Sequence, residues 1–212
     1  MSEQSASLQM AISEIAVPGI AIGHRAISPG DEYELFPEEA VTSASAKSRR
    51  ASGSARFVAR QLLAGAGFRN CAIPRTTSGA PVWPPRIVGS LAHTTDVAVA
   101  AVAPHPDFAG IGIDVEPAEA LPPELLNLIA TPAEQSVLTA HVYGGRLLFA
   151  VKEAVYKAVA GYYGAALDHQ DVEVDFLKRK AVVRNVKTVE LRFCISTHLL
   201  ALAFVRRAPL IA

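Results

Sequence analysis

The segment Gly110 to Glu116 constrains this chain more tightly than any other, because strand alternation sends Ile113 and Val115 to one face and Asp114 and Glu116 to the other. The first face belongs to a core, and the second brings two carboxylates toward one point. Pro117 closes the strand, since it has no N–H to give to a ladder. Such a pair repels itself unless a proton or a cation intervenes, and a hard divalent ion with oxygen ligands is the usual occupant. A solvent-facing strand end is the alternative. About one helix later comes Lys152-Glu153-Ala154-Val155-Tyr156-Lys157, a third carboxylate beside two lysines. Together these are the parts needed to hold Mg²⁺ against a phosphate ester, so the chain argues for phosphoryl-group chemistry.

With 212 residues, half of them apolar, the chain can build one full domain or two small ones around a sizeable core. Its 20 Lys and Arg balance 20 Asp and Glu. That excludes a sequence-independent nucleic-acid binder, which needs a net basic surface to displace counterions, and leaves any anion site local. Cys71 and Cys194 stand alone, without a CxxC or Cys/His spacing, so neither a disulfide framework nor a zinc site is expected; both read as buried apolar thiols. Leu8 to Ile22 is apolar but interrupted by Glu14 and Pro18, with no basic stretch before it. No signal peptide or membrane span is expected, and a cytoplasmic location is the default.

Residues 1 to 46 read as a strand (Ile15 to Ile22), an acidic loop and a short helix. From Ala55 to Ala66 the apolar positions recur at helical spacing, and Gly65 and Gly67 stop the run. Thr76 to Pro85, with the only tryptophan, Trp83, is an ordered loop. Val97 to Ala103 suits a buried strand, expected to pair antiparallel with Gly110 to Glu116 across the turn at Pro104 to Asp107. Helices are expected over Pro122 to Ala140, with a capping box at Thr131 and Glu134, and over Arg146 to Gly161. Val172 to Phe176, Val189 to Ser196 and Leu199 to Val205 are β-rich, giving an α+β chain.

Along the Arg146 helix, Leu147, Leu148, Val151, Ala154, Val155, Ala158 and Val159 form the apolar stripe, and Lys152, Glu153 and Lys157 are assigned to its polar side. Glu153 and Lys157 at i, i+4 also suit a plain surface ion pair. Lys47, Arg49, Arg50, Arg56 and Arg60 concentrate positive charge; if the helix extends back through Gly53, Arg49, Arg56 and Arg60 share a flank fit to clamp a terminal phosphate, or merely a solvated basic face. His93 ends Gly89-Ser90-Leu91-Ala92-His93 where a side chain can face a ligand or be satisfied locally. There is no Ser/His/Asp order, Walker-type loop or GxGxxG.

The order of these segments resembles the 4′-phosphopantetheinyl transferases of the monomeric type that activates surfactin and enterobactin synthetases. Gly112-Ile113-Asp114-Val115-Glu116 resembles the family's Gly-Ile-Asp-Ile-Glu, and Phe149 to Lys157 its aromatic-x-x-Lys-Glu-Ala/Ser-x-x-Lys. Gly79-Ala80-Pro81-Val82-Trp83-Pro84 resembles its Gly-x-Pro-x-Trp-Pro, and Gly89 to His93 its Gly-Ser-Ile-Ser-His, with Ala92 in place of the second serine. The resemblance implies two similar α/β halves, about 1–108 and 109–212, related by a pseudo-twofold with the site in the cleft between them. It implies transfer of 4′-phosphopantetheine from coenzyme A, the co-substrate, to a serine of an acyl, peptidyl or aryl carrier protein, releasing adenosine 3′,5′-bisphosphate. Mg²⁺, or Mn²⁺ in its place, would be held by Asp114, Glu116 and Glu153, with Glu153 also taking the serine proton. Lys157 would steady the departing bisphosphate, and Lys152 would contact phosphate or orient the helix. Arg49, Arg56, Ser90 and His93 would serve the phosphate side of coenzyme A, and Gly79, Pro81 and Trp83 its adenine side. The implied enzyme is a monomer without nucleic-acid or membrane partners. The alternative is a non-catalytic relative that binds coenzyme A or a carrier protein.

Overall fold

The computed structural model describes residues 3–40, 44–138, 142–163, 167–184 and 187–208. Strand β3 (Val97–Pro104) is buried from Val97 to Ala103 because both its faces are covered. It pairs antiparallel with β1 (Ala21–Ala26) on one edge and β2 (Ile87–His93) on the other. Ala100 and Val102 pack under Val58, Ala59 and Leu63 of helix α2 (Ala46–Gly65). Helix α2 does run back through Gly53, and it starts at a cap where Ser45 Oγ accepts the Ser48 N–H. Gly53 is required there, since a Cβ would fall 1.9 Å from the Asp31 carbonyl oxygen of the 3-10 turn Asp31–Glu34.

The second sheet has the order β4 (Phe108–Pro117), β8 (His198–Arg206), β7 (Lys187–Ile195), β6 (Lys180–Val183), β5 (Val172–Asp175), antiparallel throughout. The expected pairing of Val97–Ala103 with Gly110–Glu116 is therefore corrected. Both edges of β3 are taken by β1 and β2, and β4 pairs with β8. The two strands meet instead through side chains: Val97, Val99, Ala101 and Ala103 join Ile111, Ile113 and Val115 in one cluster with Leu200, Leu202 and Phe204. Helix α1 (Glu3–Glu14), absent from the sequence expectation of a strand over Ile15 to Ile22, adds Leu8, Ala11 and Ile12 to this cluster, and Ile15 just beyond its end joins them. Each Val, Leu, Ile or Phe side chain among them, once buried, contributes about 1.5–3 kcal/mol, so this shared core is what holds the two sheets together. On its free edge β4 meets β2, where Ser90 Oγ accepts the Ile113 N–H at 3.0 Å.

Helix α5 (Gly144–Tyr163) covers the other face of the second sheet, packing Ala154, Val155 and Ala158 against Ala201 and Ala203. Its backbone lies directly on β4. A Cβ at Gly112 would sit 1.9 Å from the Ala154 carbonyl oxygen, and one at Gly110 2.0 Å from that of Ala158. The expected Pro122–Ala140 helix is two: α3 (Pro123–Ile129) and α4 (Pro132–Leu138), with residues 139–140 outside the described set. Pro132 has no N–H to continue α3, and its ring disfavours helical backbone at Thr131. The capping box is present: the Thr131 N–H donates to Glu134 Oε2 (2.8 Å) and the Glu134 N–H to Thr131 Oγ1 (3.3 Å). Cys194 is buried, whereas Cys71 is only partly so, against the expectation for both.

A buried carboxylate, Glu39, ties α2 to the loops around it. It accepts hydrogen bonds from Arg60 (2.9 Å), the Ile73 N–H (2.7 Å) and the Phe36 N–H (2.9 Å), and Arg56 Nε lies 4.0 Å away. Glu39→Gln removes the charge that faces buried Arg56 and half-buried Arg60 and should cost about 3 kcal/mol in urea unfolding. Gly112→Ala, by wedging α5 off β4, should cost about 1–3 kcal/mol or more. Gly65→Ala, where nothing lies within 4 Å of the added Cβ, should leave the same transition unchanged or raise it.

Candidate functional site

The end of β4 and the polar flank of α5 bring four titratable side chains together. Lys157 Nζ donates to Asp114 Oδ1 at 2.6 Å and to the Ile113 carbonyl at 3.2 Å. Asp114 is nearly enclosed, and burial pushes its carboxyl up to about 6; Lys157 opposes that rise, while Glu116 and Glu153 add to it. Its Oδ2 is buried without a hydrogen-bond partner among the described residues. Glu116 Oε2 accepts from Arg146 at 3.1 Å, yet burial still raises its pKa, with Glu153 contributing. Glu153 Oε1 accepts the Nε2–H of His169 at 3.2 Å, and this bond holds its carboxyl below the usual range despite burial. Each carboxylate thus has its own basic partner. Among the described residues no three His, Cys, Asp or Glu side chains converge closely enough to hold a metal ion.

His93, the last residue of β2, faces the same region from the other sheet. Its Nδ1–H donates to the Thr94 carbonyl (3.2 Å); desolvation lowers its pKa, and the nearby charges of Lys157 and Arg75 lower it further. Beside it opens a cavity of about 370 Å³ lined by Ser28, Lys47, Arg50, His93 and Thr94. Arg50, which also pairs with Glu32 at 3.0 Å, lines this cavity, whereas Arg49 turns to the Ala44 carbonyl. A second cavity, about 190 Å³, lies along α5 between Glu153, Tyr156, Leu167 and His169.

Several expected contacts are spent inside the protein. Lys152 does not share the polar side of α5: it is 1% exposed, and its ammonium donates to the Ile129 carbonyl (2.7 Å), Glu134 Oε2 (2.8 Å) and the His169 carbonyl (2.9 Å). All three donors are used, so of its two expected roles only orienting the helix fits this placement. Arg56 is also enclosed, bonded to the Ile73 carbonyl (2.9 Å) and Ser52 Oγ (2.7 Å). Burial first, then Arg75, pushes its pKa down to about 10, and it does not form a clamp with Arg49. Ser90 gives its hydroxyl oxygen to the Ile113 amide. Trp83 packs over Gly89, where a Cβ would fall 2.5 Å from the ring, and Gly79 takes φ +88° in the turn that bridges Pro81 to Arg75. This loop thereby holds Arg75, which donates to Ser52 Oγ at 2.8 Å.

Three residues at the site went unnoticed in the sequence. Arg75 and Arg146 are lone arginines without a motif, and His169 follows Asp168 in a short 3-10 turn, His169–Asp171. Only Arg146 had a usable signal, its place on the same helix as Glu153.

Residues 36–103 match the family model of the 4′-phosphopantetheinyl transferase N-terminal domain, and residues 110–205 that of the 4′-phosphopantetheinyl transferase superfamily. The 4′-phosphopantetheinyl transferase Svp of Streptomyces mobaraensis is 35% identical over 169 residues, spanning 74% of this chain and 69% of its own. Npt of Nocardia iowensis is 40% identical over 124 residues (57% of this chain, 56% of its own), and PptT of Mycobacterium tuberculosis 34% over 147 (66% and 65%). Two family models in chain order, with the carboxylates and lysine of β4 and α5 inside the second, leave one conclusion: the chain belongs to the 4′-phosphopantetheinyl transferase superfamily.

Proposed function

We propose that this protein transfers 4′-phosphopantetheine from coenzyme A to the serine hydroxyl of a carrier protein, with adenosine 3′,5′-bisphosphate as the leaving group. The observation that carries this reading is the meeting of Asp114, Glu116, Glu153 and Lys157 where β4 ends against α5. His93 and the cationic cavity at Lys47 and Arg50 supply a place for the phosphates of coenzyme A on the opposite side. The boundary near residue 108 separates the strands of one sheet from those of the other.

The donor chemistry suits a magnesium ion, which the three carboxylates would have to draw together to share. The set is all oxygen, it carries mutually repelling carboxylates, and one buried oxygen of Asp114 lacks a partner among the described residues. Mg²⁺ held by Asp114, Glu116 and Glu153 would neutralise charge on the pyrophosphate. Glu153, with its pKa held down, is ionised at neutral pH and suited to take the proton of the incoming serine as its oxygen bonds to phosphorus. As the bond from that phosphorus to the leaving bisphosphate breaks, Lys157, the cation held against Asp114, stabilises the negative charge on the departing oxygen. Lys152 acts from inside the fold and touches no substrate.

A second reading, a relative that binds coenzyme A or a carrier without catalysis, draws on the pairing of Asp114 with Lys157 and of Glu116 with Arg146, which compensates two of the three carboxylates without an ion. Incubation with coenzyme A, Mg²⁺ and a panel of apo carrier proteins, followed by intact-mass measurement, separates the two. Transfer gives a phosphopantetheine mass gain on at least one carrier; binding in calorimetry with no gain on any favours the second reading. Asp114→Asn should lower turnover at least 100-fold while the circular dichroism stays as in wild type.

Asp114 also gives a pH test in the metal-free protein. Its folded pKa of about 6 exceeds the ordinary 3.8, so the native state holds this proton more tightly than the unfolded chain. Its contribution to stability is full below pH 3.8 and is lost as pH rises to about 6. Thermal melts from pH 4 to 7 should therefore show a decline that Asp114→Asn reduces, and saturating Mg²⁺ should restore stability to wild type but not to the variant.

A further inference from the structure

Two neighbouring residues of α5 grip the same partner. Lys152 donates from the buried side of the helix to the main-chain carbonyl of His169, at 2.9 Å, and Glu153 accepts from the ring of His169, at 3.2 Å. The ring also lies nearly parallel to Phe149, one turn earlier on α5, with centroids 5.7 Å apart and planes at 22°. The backbone of the 3-10 turn is fixed as well: the Gln170 N–H donates to Asp168 Oδ1 (3.0 Å), the Asp168 N–H to Asp171 Oδ2 (3.0 Å), and the Gln170 side chain to the Leu128 and Ala130 carbonyls (3.3 and 3.2 Å). Lys152 is itself fixed by Glu134, whose other oxygen accepts the Val174 N–H at 2.9 Å.

We infer that His169 is a positioning residue for Glu153, holding its carboxylate at the mouth of the 190 Å³ cavity along α5 in the orientation that the transfer needs. The inference rests on the proposed transferase reading. A glutamate on a helix has three side-chain torsions to fix, and the Asp114 and Lys157 pair does not fix them, because Lys157 spends its short contacts on Asp114 and Ile113. The bond to His169 does. A carboxylate accepts only from a donor, so Nε2 carries the hydrogen. The ring cannot turn away without giving up its stack on Phe149, and the turn cannot move without breaking the bond to the buried ammonium of Lys152. In this arrangement Lys152 serves the site through His169. Partners of this kind behind a functional carboxylate are worth about 10-fold to 100-fold in affinity or activity when lost.

Two substitutions separate the hydrogen bond from the packing. His169→Phe keeps a ring for Phe149 to stack on and removes the donor; His169→Gln removes the ring and places an amide N–H where Nε2 was. Transfer kinetics on a responsive carrier and calorimetric titration with Mn²⁺ alone give two readouts. His169→Phe should lower kcat about 10-fold with KM for coenzyme A and carrier unchanged, and weaken Mn²⁺ binding to a similar extent. His169→Gln should recover most of both. Should His169→Phe fail to fold, His169→Asn, whose shorter amide does not reach Glu153, stands in as the loss variant. The inference is overturned if the loss variant matches wild type in kcat and Mn²⁺ affinity, or if His169→Gln falls as far as the loss variant does. Wild type that binds Mn²⁺ but transfers to no carrier would count against the transferase reading alone, and the Mn²⁺ series would then decide the role of His169.

Discussion

The contact between helix α5 and strand β4 is made by backbone, and the geometry of the site is measured from it. Gly110 lies against Ala158 and Gly112 against Ala154, so two steps along the strand correspond to four steps back along the helix. The distances agree: two strand residues advance about 6.7 Å and four helical residues about 6 Å. Continuing the same count moves Asp114 and Glu116 successively toward the N-terminal end of the helix, where Glu116 meets Arg146 in the ion pair found at 3.1 Å. Helical side chains lean toward the N-terminus, which carries Lys157 back over its preceding turn to Asp114. A side chain at either glycine would lift the helix and loosen every one of these distances.

That close approach has an electrostatic consequence. Pressing α5 onto β4 shuts water away from Asp114, and burial outweighs the favourable charge of Lys157, so the carboxyl is pushed up rather than down. Glu116 behaves alike, with Arg146 too weak to offset its desolvation, whereas Glu153, hydrogen-bonded to His169 and nearer solvent, moves the other way. Three carboxylates of one site are therefore separated by environment into two that resist ionisation and one that favours it. A cation entering between them would recover the energy that burial has cost Asp114 and Glu116, which is a physical reason for the donors to stay poised although each has a basic neighbour.

Strand alternation made the β4 half of this legible from sequence, because period two is strict: Ile113 and Val115 had to face the core if Asp114 and Glu116 faced out. The α5 stripe was legible for the same reason at period 3.6. Pairing was not. Val97 to Ala103 and Gly110 to Glu116 look like a hairpin across a proline turn, and only the competition of β1 and β2 for both edges of β3 sends β4 to β8, far along the chain. Helix α1 was hidden by a strand-like run at Ile15 to Ile22, although Leu8, Ala11, Ile12 and Ile15 stand at helical spacing and are the residues that reach the core. The basic cluster from Lys47 to Arg60 was the least legible. Sequence shows charge but not its partner, and Glu39, remote in the chain, takes Arg60 and draws Arg56 inward.

Lys152 shows the same limit at the site itself. Adjacent residues on a helix are 100° apart, so Lys152 and Glu153 leave α5 in different directions; Lys157, four residues from Glu153, shares its flank, while Lys152 does not. Burying an ammonium costs several kcal/mol unless its donors are met, and here a carboxylate and two carbonyls meet all three. Those acceptors come from the C-terminal end of α3, the cap of α4 and the turn at His169, and the first two segments also share an apolar cluster with α5 through Ile129, Ala130, Leu138 and Leu148. A leucine at position 152 would fill the space but bond none of these carbonyls, leaving them unpaired next to the site. The charge is best understood as a strut: it fixes the wall that α3, α4 and the turn form along α5, and with it the surroundings of Glu153.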